Sequence, residues 1–239
     1  MKDNKENRAI TTLFTLMSVD GKITLGSSDL LDFDKDLPNI GGDVSKGLYQ
    51  YYAKEKETDK WCLTSGKTWK KIGINHLIPT NIEKLDVSCV VIDNGYLERN
   101  GLIWLSHRFK QVFVATKNLQ HLVFYTDLDN VSAIGKSDLS LKYLLEVLKK
   151  DYGCDSITVQ TGGTLNSELL RYGLLDKLNI IVAPLLIGGK HTSSLIDGYS
   201  FENSKDLKKL GFLKLKGVDI LKNSYIRLRY DVESPISID

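Results

Sequence analysis

The most informative stretch of this sequence spans residues 157–166 and reads Ile157-Thr158-Val159-Gln160-Thr161-Gly162-Gly163-Thr164-Leu165-Asn166. Its apolar, β-branched start predicts a strand, two glycines follow, and a helix is expected directly after them. Glycine lets a backbone approach a ligand closely and adopt positive φ, and the free N–H groups of a helix start attract anions. The pattern therefore predicts an anion site or, alternatively, a tight turn without a ligand, because the spacing is not that of G-x-G-x-x-G.

Elements on either side of this turn predict an α/β fold. A leucine pattern at i, i+3, i+4 and i+7 indicates a helix over 137–150, which Ser137 and Asp138 would cap and Gly153 would end. A helix over 164–172 would end at Gly173. Short apolar runs predict strands at 9–17, 60–64, 87–92, 111–116, 122–125, 156–160 and 177–183, and the β-branched run at 87–92 is typical of a buried parallel strand.

The remaining segments complete the prediction. Residues 26–47 are expected to form a long loop with one helical turn, followed by a helix near 44–56 and a short helix over 67–72. Alternating patterns at 212–216 and 225–230 predict an antiparallel pair around Lys222-Asn223. We expect one domain over 1–239, with a flexible lead-in at 1–8, built on a mostly parallel sheet with an antiparallel C-terminal edge.

The four residues Ser65-Gly66-Lys67-Thr68 match the end of a phosphate-binding P-loop. That motif needs a glycine at position 61, where this chain has Trp61, so a Walker A site is excluded. Between a strand and a helix, the four residues could still offer N–H groups, a hydroxyl and one cation to a phosphate. A capped helix start is the equally simple alternative.

Composition narrows the classes of function. A net charge of +2 without a basic stripe argues against nucleic-acid binding. The three cysteines are far apart, and the four histidines lack metal-ligand spacing, so neither a disulfide framework nor a bound metal is expected. The charged N-terminus does not resemble a signal peptide, and the longest apolar run, at 180–187, is too short to cross a bilayer. We therefore expect a cytoplasmic protein without a membrane partner.

Several motifs, in one order, resemble the reductase domain of the bifunctional deaminase-reductases of riboflavin biosynthesis, within the dihydrofolate-reductase-like superfamily. The resemblance extends over roughly residues 10–230. The matching strings are Leu16-Met17-Ser18-Val19-Asp20-Gly21-Lys22, Gly66-Lys67-Thr68-Trp69 with Ile72-Gly73, Val90-Val91-Ile92-Asp93, 159–166, Leu169-Leu170-Arg171-Tyr172-Gly173-Leu174-Leu175-Asp176 and Ala183-Pro184-Leu185-Leu186-Ile187-Gly188-Gly189.

The resemblance implies NADPH as hydride donor, a small heterocyclic substrate of pyrimidine or pterin type, and a homodimer formed through late strands. It places the cofactor pyrophosphate over Gly162, Gly163, Thr164 and Leu165. It also places Thr64, Ser65, Gly66, Lys67 and Thr68 on the other side of the cofactor, with Lys67 near the adenosine 2′-phosphate. Leu16 would contact the nicotinamide end and Asn94 the adenosine side.

The substrate side departs from the family pattern. The family usually has a glutamate where this chain has Gln160, and its Asp-x-Pro-x-Leu-Thr-x-Arg stretch is missing after Thr68. A neutral amide also donates hydrogen bonds, so Gln160 would contact a different edge of the substrate. Lys22 is our candidate for a donor that stabilises developing charge or supplies a proton, or alternatively for a substrate contact. Asp20 and Gln160 are the other expected substrate contacts, and Gln160 is a second catalytic candidate. A dinucleotide-binding or regulatory protein without turnover is the alternative function.

Overall fold

The computed structural model describes residues 5–28 and 31–233. Its strands are β1 (Ile10–Ser18), β2 (Trp61–Ser65), β3 (Leu85–Ile92), β4 (Phe109–Thr116), β5 (Val131–Gly135), β6 (Ser156–Val159), β7 (Lys177–Ala183), β8 (Phe212–Ile220) and β9 (Ile226–Glu233). Its α-helices are α1 (Phe33–Ile40), α2 (Gly42–Gly47), α3 (Tyr49–Glu55), α4 (Gly66–Ile72), α5 (Arg99–Arg108), α6 (Leu141–Tyr152) and α7 (Gly163–Arg171). Short 3-10 turns add Lys5–Asn7, Ile74–His76, Leu122–Tyr125 and Ser204–Lys209.

The chain divides into two compact units, which we call the first unit (5–10 and 59–161) and the second unit (11–58 and 162–233). The first unit has five parallel strands in the order β5-β4-β3-β2-β6. Its central strand β3 carries the β-branched run predicted to be buried, and Val90 and Val91 are fully buried. Strands covered on both faces have few polar side chains because polar groups are costly to bury.

The second unit pairs β1 and β7 in parallel and adds β9 and β8 as antiparallel strands. Phe14 and Leu16 of β1 pack with Phe33 and Leu37 of α1 in its core. Tyr225, before β9, is fully buried, and its hydroxyl donates a 2.6 Å hydrogen bond to the Val44 carbonyl. The predicted antiparallel C-terminal edge is therefore confirmed, and so is the mostly parallel α/β class.

Helix α6 shows how local signals set an element. Leu144, Leu145 and Leu148 are buried on one face, as the periodicity predicted. Gly153 ends the helix in the left-handed conformation with φ 71°. The predicted start was wrong, because the Ser140 side chain, and not Ser137 or Asp138, accepts the capping hydrogen bond from the Tyr143 N–H.

Three other predictions need correction, and two elements were missed. Residues 122–125 form a 3-10 turn and not a strand, and α5 and β5 were missed. The predicted loop 26–47 contains α1 and α2, because Phe33 and Leu37, one turn apart, reach the core. The helix near 44–56 is α2 followed by α3.

The predicted lead-in at 1–8 lies partly outside the described residues. Within its described part, Lys5–Asn7 form a 3-10 turn and Arg8 is almost fully buried. Across residues 5–28 and 31–233, no helix combines the length and the apolar character that a membrane span requires. The organisation of 1–239 as a single domain stays a prediction.

Candidate active site

The start of α7 is the glycine turn singled out in the sequence. Gly162 precedes the helix in an extended conformation (φ −79°, ψ 163°), and no side chain caps the helix there. A Cβ placed on Gly162 would meet no atom within 4 Å, so the space in front of it is open. Neither Gly162 nor Gly163 has positive φ, so backbone conformation does not require glycine at either position.

Gly163 is enclosed where Gly162 is open. A Cβ at Gly163 would overlap the Ser194 carbonyl oxygen and the Asp197 carboxylate. The Asp197 N–H donates to the Gly163 carbonyl at 3.0 Å, and Asp197 Oδ1 accepts from Ser194 N and Oγ at 2.9 and 2.6 Å. Residues 194–197 therefore pack directly on the helix start, which the sequence analysis missed because nothing in that segment marks a distant partner.

Lys22 contacts the same segment. It forms an antiparallel bridge with Ser194, and its Nζ donates a 2.9 Å hydrogen bond to the Thr192 carbonyl. The Leu195 N–H donates to the Gly21 carbonyl at 3.0 Å. Two predicted site positions, Lys22 and Gly163, are thus both in contact with residue 194, and the Lys22 ammonium keeps donors beyond the one it uses.

Asp20 is held in a network of its own. Its Oδ1 accepts from Ser18 Oγ at 2.6 Å and from Ile187 N at 3.1 Å, and its Oδ2 accepts from Gly188 N at 2.6 Å. The hydrogen bond from Ser18, followed by that from Gly188, lowers the pKa of this exposed carboxyl to about 2. Asp20 therefore anchors the loop that carries Gly188, and any substrate contact would be additional.

Leu16, the predicted nicotinamide contact, is 4% exposed and belongs to the core of the second unit. It lies opposite Ile181 of β7 in the parallel pair. Its role at a cofactor stays a prediction.

Residues 64–68 end β2 and open α4 in the first unit. The Thr64 hydroxyl is buried and accepts from Trp69 Nε1 at 2.7 Å. The Ser65 side chain caps α4 by accepting from the Thr68 N–H, and the two hydroxyls lie 2.9 Å apart. The capped helix start is thus present, while the exposed Lys67 leaves a cation at its surface.

Asp93 lies against this loop from the end of β3. The Asp93 carboxylate occupies the space that a Cβ on Gly66 would need. His121 Nε2 lies 2.8 Å from Asp93 Oδ2, and both side chains are buried. Burial alone raises the pKa of the Asp93 carboxyl, but hydrogen bonds from His121, Leu97 N and Tyr96 N outweigh it, so the pKa lies below its usual value.

Asn94 ties the ends of two neighbouring strands. Its Oδ1 accepts from Thr116 Oγ1 at 3.2 Å and from Lys117 N at 2.8 Å. Its carbonyl accepts from Asn118 Nδ2 at 3.2 Å. Gln160, after β6, donates its N–H to the Leu63 carbonyl at 2.9 Å. The first unit thus gathers 64–68, Asn94 and Gln160 at the carboxyl ends of its parallel strands, where ligands bind in open α/β sheets.

Among residues 5–28 and 31–233, no three His, Cys, Asp or Glu side chains lie close enough to hold an ion.

These features define an α/β protein in which polar loops follow the carboxyl ends of the parallel strands. Its last two strands are antiparallel and form the C-terminal edge of the sheet. The chain belongs to the family described as the RibD C-terminal domain, whose sequence profile matches residues 9–222. The resemblance to riboflavin-biosynthesis reductase domains is therefore confirmed.

Relatives and solved structures agree with this assignment. Over 80 residues the chain is 34% identical to the 2,5-diamino-6-ribosylamino-4(3H)-pyrimidinone 5′-phosphate reductase of Archaeoglobus fulgidus, a match that covers 34% of this chain and 36% of that protein. The aligned region is thus about a third of the relative's length.

Two solved structures share the fold. RibD of Acinetobacter baumannii superposes with a TM-score of 0.67 at 22% identity, over 95% of this chain and 59% of that one. The riboflavin biosynthesis reductase Rib7 of Saccharomyces cerevisiae gives a TM-score of 0.60 at 13% identity, over 98% and 93%. At these identities the likeness establishes the fold, and the predicted fold class is confirmed.

Proposed function

We propose that this protein is an NADPH-dependent reductase that transfers hydride to a pyrimidine- or pterin-type substrate, in the manner of a 5-amino-6-(5-phosphoribosylamino)uracil reductase. The open space in front of Gly162, at an uncapped helix start, is the observation that carries the proposal. Membership of the family and the name of the Archaeoglobus fulgidus relative support the reductase assignment.

The start of α7 has the donors that a diphosphate needs. The first N–H groups of a helix have no partner within it and lie at the positive end of its dipole. Gly162 has no side chain that would cover the backbone N–H groups of Gly163, Thr164 and Leu165. The Thr164 hydroxyl is a further donor. The groups present therefore fit the pyrophosphate of a dinucleotide. Bound NADPH would supply the hydride, and the protein's part would be to orient it and exclude water.

By the family resemblance, residues 64–68 and Asn94 would hold the rest of the cofactor. Lys67 offers a cation for the 2′-phosphate that distinguishes NADPH from NADH, and Asn94 keeps its Nδ2 donors on an exposed side chain. Thr64, Ser65 and Thr68 would act mainly through the backbone they hold, because their hydroxyls are already bonded to neighbours.

On the substrate side, Lys22 and Gln160 are the proposed functional groups. The Lys22 ammonium is held by the Thr192 carbonyl and would donate its remaining N–H groups to developing negative charge. Gln160 would contact the substrate where relatives use a carboxylate. Leu16, in the core of the second unit, and Asp20, in the turn after β1, would shape the surroundings of the substrate.

Loss of reduced-nicotinamide absorbance tests the proposal. Purified protein is mixed with NADPH and, separately, with diamino- and aminouracil-type ribosylaminopyrimidine phosphates and with a dihydropterin. Turnover of one substrate with NADPH supports the reductase, and Lys67→Ala should then weaken NADPH more than NADH. Failure to bind either dinucleotide by calorimetry refutes it.

A second function is favoured by Gln160, which replaces the family's glutamate. A dinucleotide-binding or regulatory protein would bind NADPH without oxidising it in the presence of any of these substrates. Binding without turnover across the whole set therefore selects this alternative.

We further propose a homodimer formed through β8. This strand is last in the sheet order and has β9 as its neighbour. Large apolar side chains along it are exposed, Leu215 by 54% and Ile220 by 89%. An exposed apolar edge strand favours association. We place the protein in the cytoplasm, with a small molecule as its partner and neither nucleic acid nor membrane, consistent with its net charge of +2.

A further inference from the structure

The buried carboxylate of Asp93 lies beside residues proposed to hold the dinucleotide but is itself inaccessible to a ligand. Its side chain has no exposed surface. Its Oδ1 accepts from Tyr96 N at 2.9 Å, and its Oδ2 accepts from Leu97 N at 3.0 Å. A buried anion without such donors would be expensive, so each of these bonds constrains where the carboxylate lies.

His121 supplies a side-chain donor in addition to the backbone N–H of Gly95, and its tautomer follows from its other contact. The Val123 N–H donates to His121 Nδ1 at 3.1 Å, so Nδ1 has no proton and Nε2 carries it toward Asp93. The His121 ring is therefore neutral in this arrangement, because a proton on Nδ1 would face the Val123 N–H. Asp93 is thus a buried carboxylate held by hydrogen-bond donors.

Gly66 packs against the Oδ1 side of the Asp93 carboxylate. A side chain at position 66 would overlap the Asp93 carboxylate, and Gly66 itself is buried. Gly66 is the first residue of α4, next to the Ser65 cap. The Asp93 carboxylate therefore fixes the position of the Gly66 backbone at the start of this loop. The segment that carries His121 and Val123 in turn fixes the position of the carboxylate.

We propose that Asp93 and His121 form a positioning pair that holds the loop 65–68 in the geometry needed for dinucleotide binding, with Gly66 obligatory because the Asp93 carboxylate fills its side-chain space. The cofactor role of this loop rests on the proposed function. The pair acts through the backbone of the loop and contacts neither cofactor nor substrate, so it is a positioning pair and not a catalytic one.

Asp93→Asn is the sharpest test because it keeps the shape of the side chain. If the amide nitrogen replaces Oδ2, it faces the N–H groups of Leu97 and His121. If it replaces Oδ1, it faces the N–H group of Tyr96, so either orientation of the amide sets donors against donors. We expect backbone amides of residues 66–73 to exchange with solvent about tenfold faster, and NADPH to bind about tenfold more weakly. The KM for NADPH should rise, with kcat and the substrate KM little changed.

Matched variants separate positioning from general destabilisation. Asp86→Asn, on β3, removes an exposed carboxylate that pairs with Lys60 and Lys110, and should leave exchange at 66–73 and NADPH affinity unchanged. His121→Gln keeps an N–H donor within reach of Asp93, while His121→Leu has none, so the first should preserve both readouts and the second should reproduce Asp93→Asn. If Asp93→Asn does not fold, the comparison of His121→Gln with His121→Leu tests the positioning role instead.

The outcomes are distinct from those of the proposed function. Unchanged exchange at 66–73 in folded Asp93→Asn overturns the inference, and so does faster exchange with unaltered NADPH affinity. Should the unaltered protein bind no dinucleotide, the proposed function fails together with the cofactor role assigned to the pair. The exchange data would then show only whether the loop itself is held.

Discussion

Asp20 and Gly188 are joined by a 2.6 Å hydrogen bond from the Gly188 N–H to the Asp20 carboxylate. Since Ile187 and Ser18 donate to the same carboxylate, this one side chain links the turn after β1 to the loop that follows β7. Asp20 therefore does more than form part of the turn after β1, because its carboxylate also holds the loop after β7.

We predict from this link a defined acid limb in the stability of the protein. The pKa of Asp20 is lowered to about 2 from a model-compound value of 3.8, so its ionised form stabilises the native state above pH 3.8 and loses that contribution as pH falls toward about 2. Asp20→Asn should remove this part of the pH dependence in urea unfolding measured across that range. Asp43→Asn, at an exposed side chain of α2, is the control. An identical acid limb in Asp20→Asn would contradict the prediction.

Alanine at the two adjacent glycines of the site should change the free energy of unfolding by different amounts. Gly163→Ala forces a methyl group into the Ser194 carbonyl and the Asp197 carboxylate, so we expect about 1–3 kcal/mol of destabilisation in chemical unfolding. Gly162→Ala meets open space and should change stability by no more than about 0.5 kcal/mol. Because its methyl group would lie in front of the helix start, it should nevertheless weaken NADPH binding in calorimetry. Equal affinity would argue against a diphosphate at this position.

Gln160→Glu tests whether the substrate differs from that of relatives. Restoring the family's carboxylate should raise kcat/KM for a ribosylaminopyrimidine phosphate about tenfold, because a charged acceptor binds a substrate N–H more strongly than an amide does. NADPH affinity should not move. If activity falls instead, Gln160 uses its N–H donors on a different substrate.

Leu215→Lys and Ile220→Lys place charges on the exposed apolar surface of β8. If two copies associate through this strand, each substitution should shift the protein from dimer to monomer in light scattering, since an ammonium is costly to bury without a partner. Tyr172→Lys, at a 69% exposed side chain on the C-cap of α7, introduces the same charge elsewhere in the second unit and should leave the dimer intact. A monomeric unaltered protein would refute the proposed dimer.

Local chemistry within a few residues determined much of this protein in advance. The sequence predicts three of its features: the strand, paired glycines and helix at 156–171, the leucine face and glycine cap of α6, and the C-terminal antiparallel pair. Each depends on hydrophobic periodicity and backbone preference. The family motifs extended that reading to the fold.

Only the tertiary structure decided which distant segments meet. It showed that Ser194 and Asp197 enclose Gly163, that Asp93 lies under Gly66, and that 122–125 turns where a strand was expected. It also produced α5 and β5, whose sequences lack a strong period. Such features depend on packing partners elsewhere in the chain, and no local pattern specifies a contact whose other residue lies several elements away.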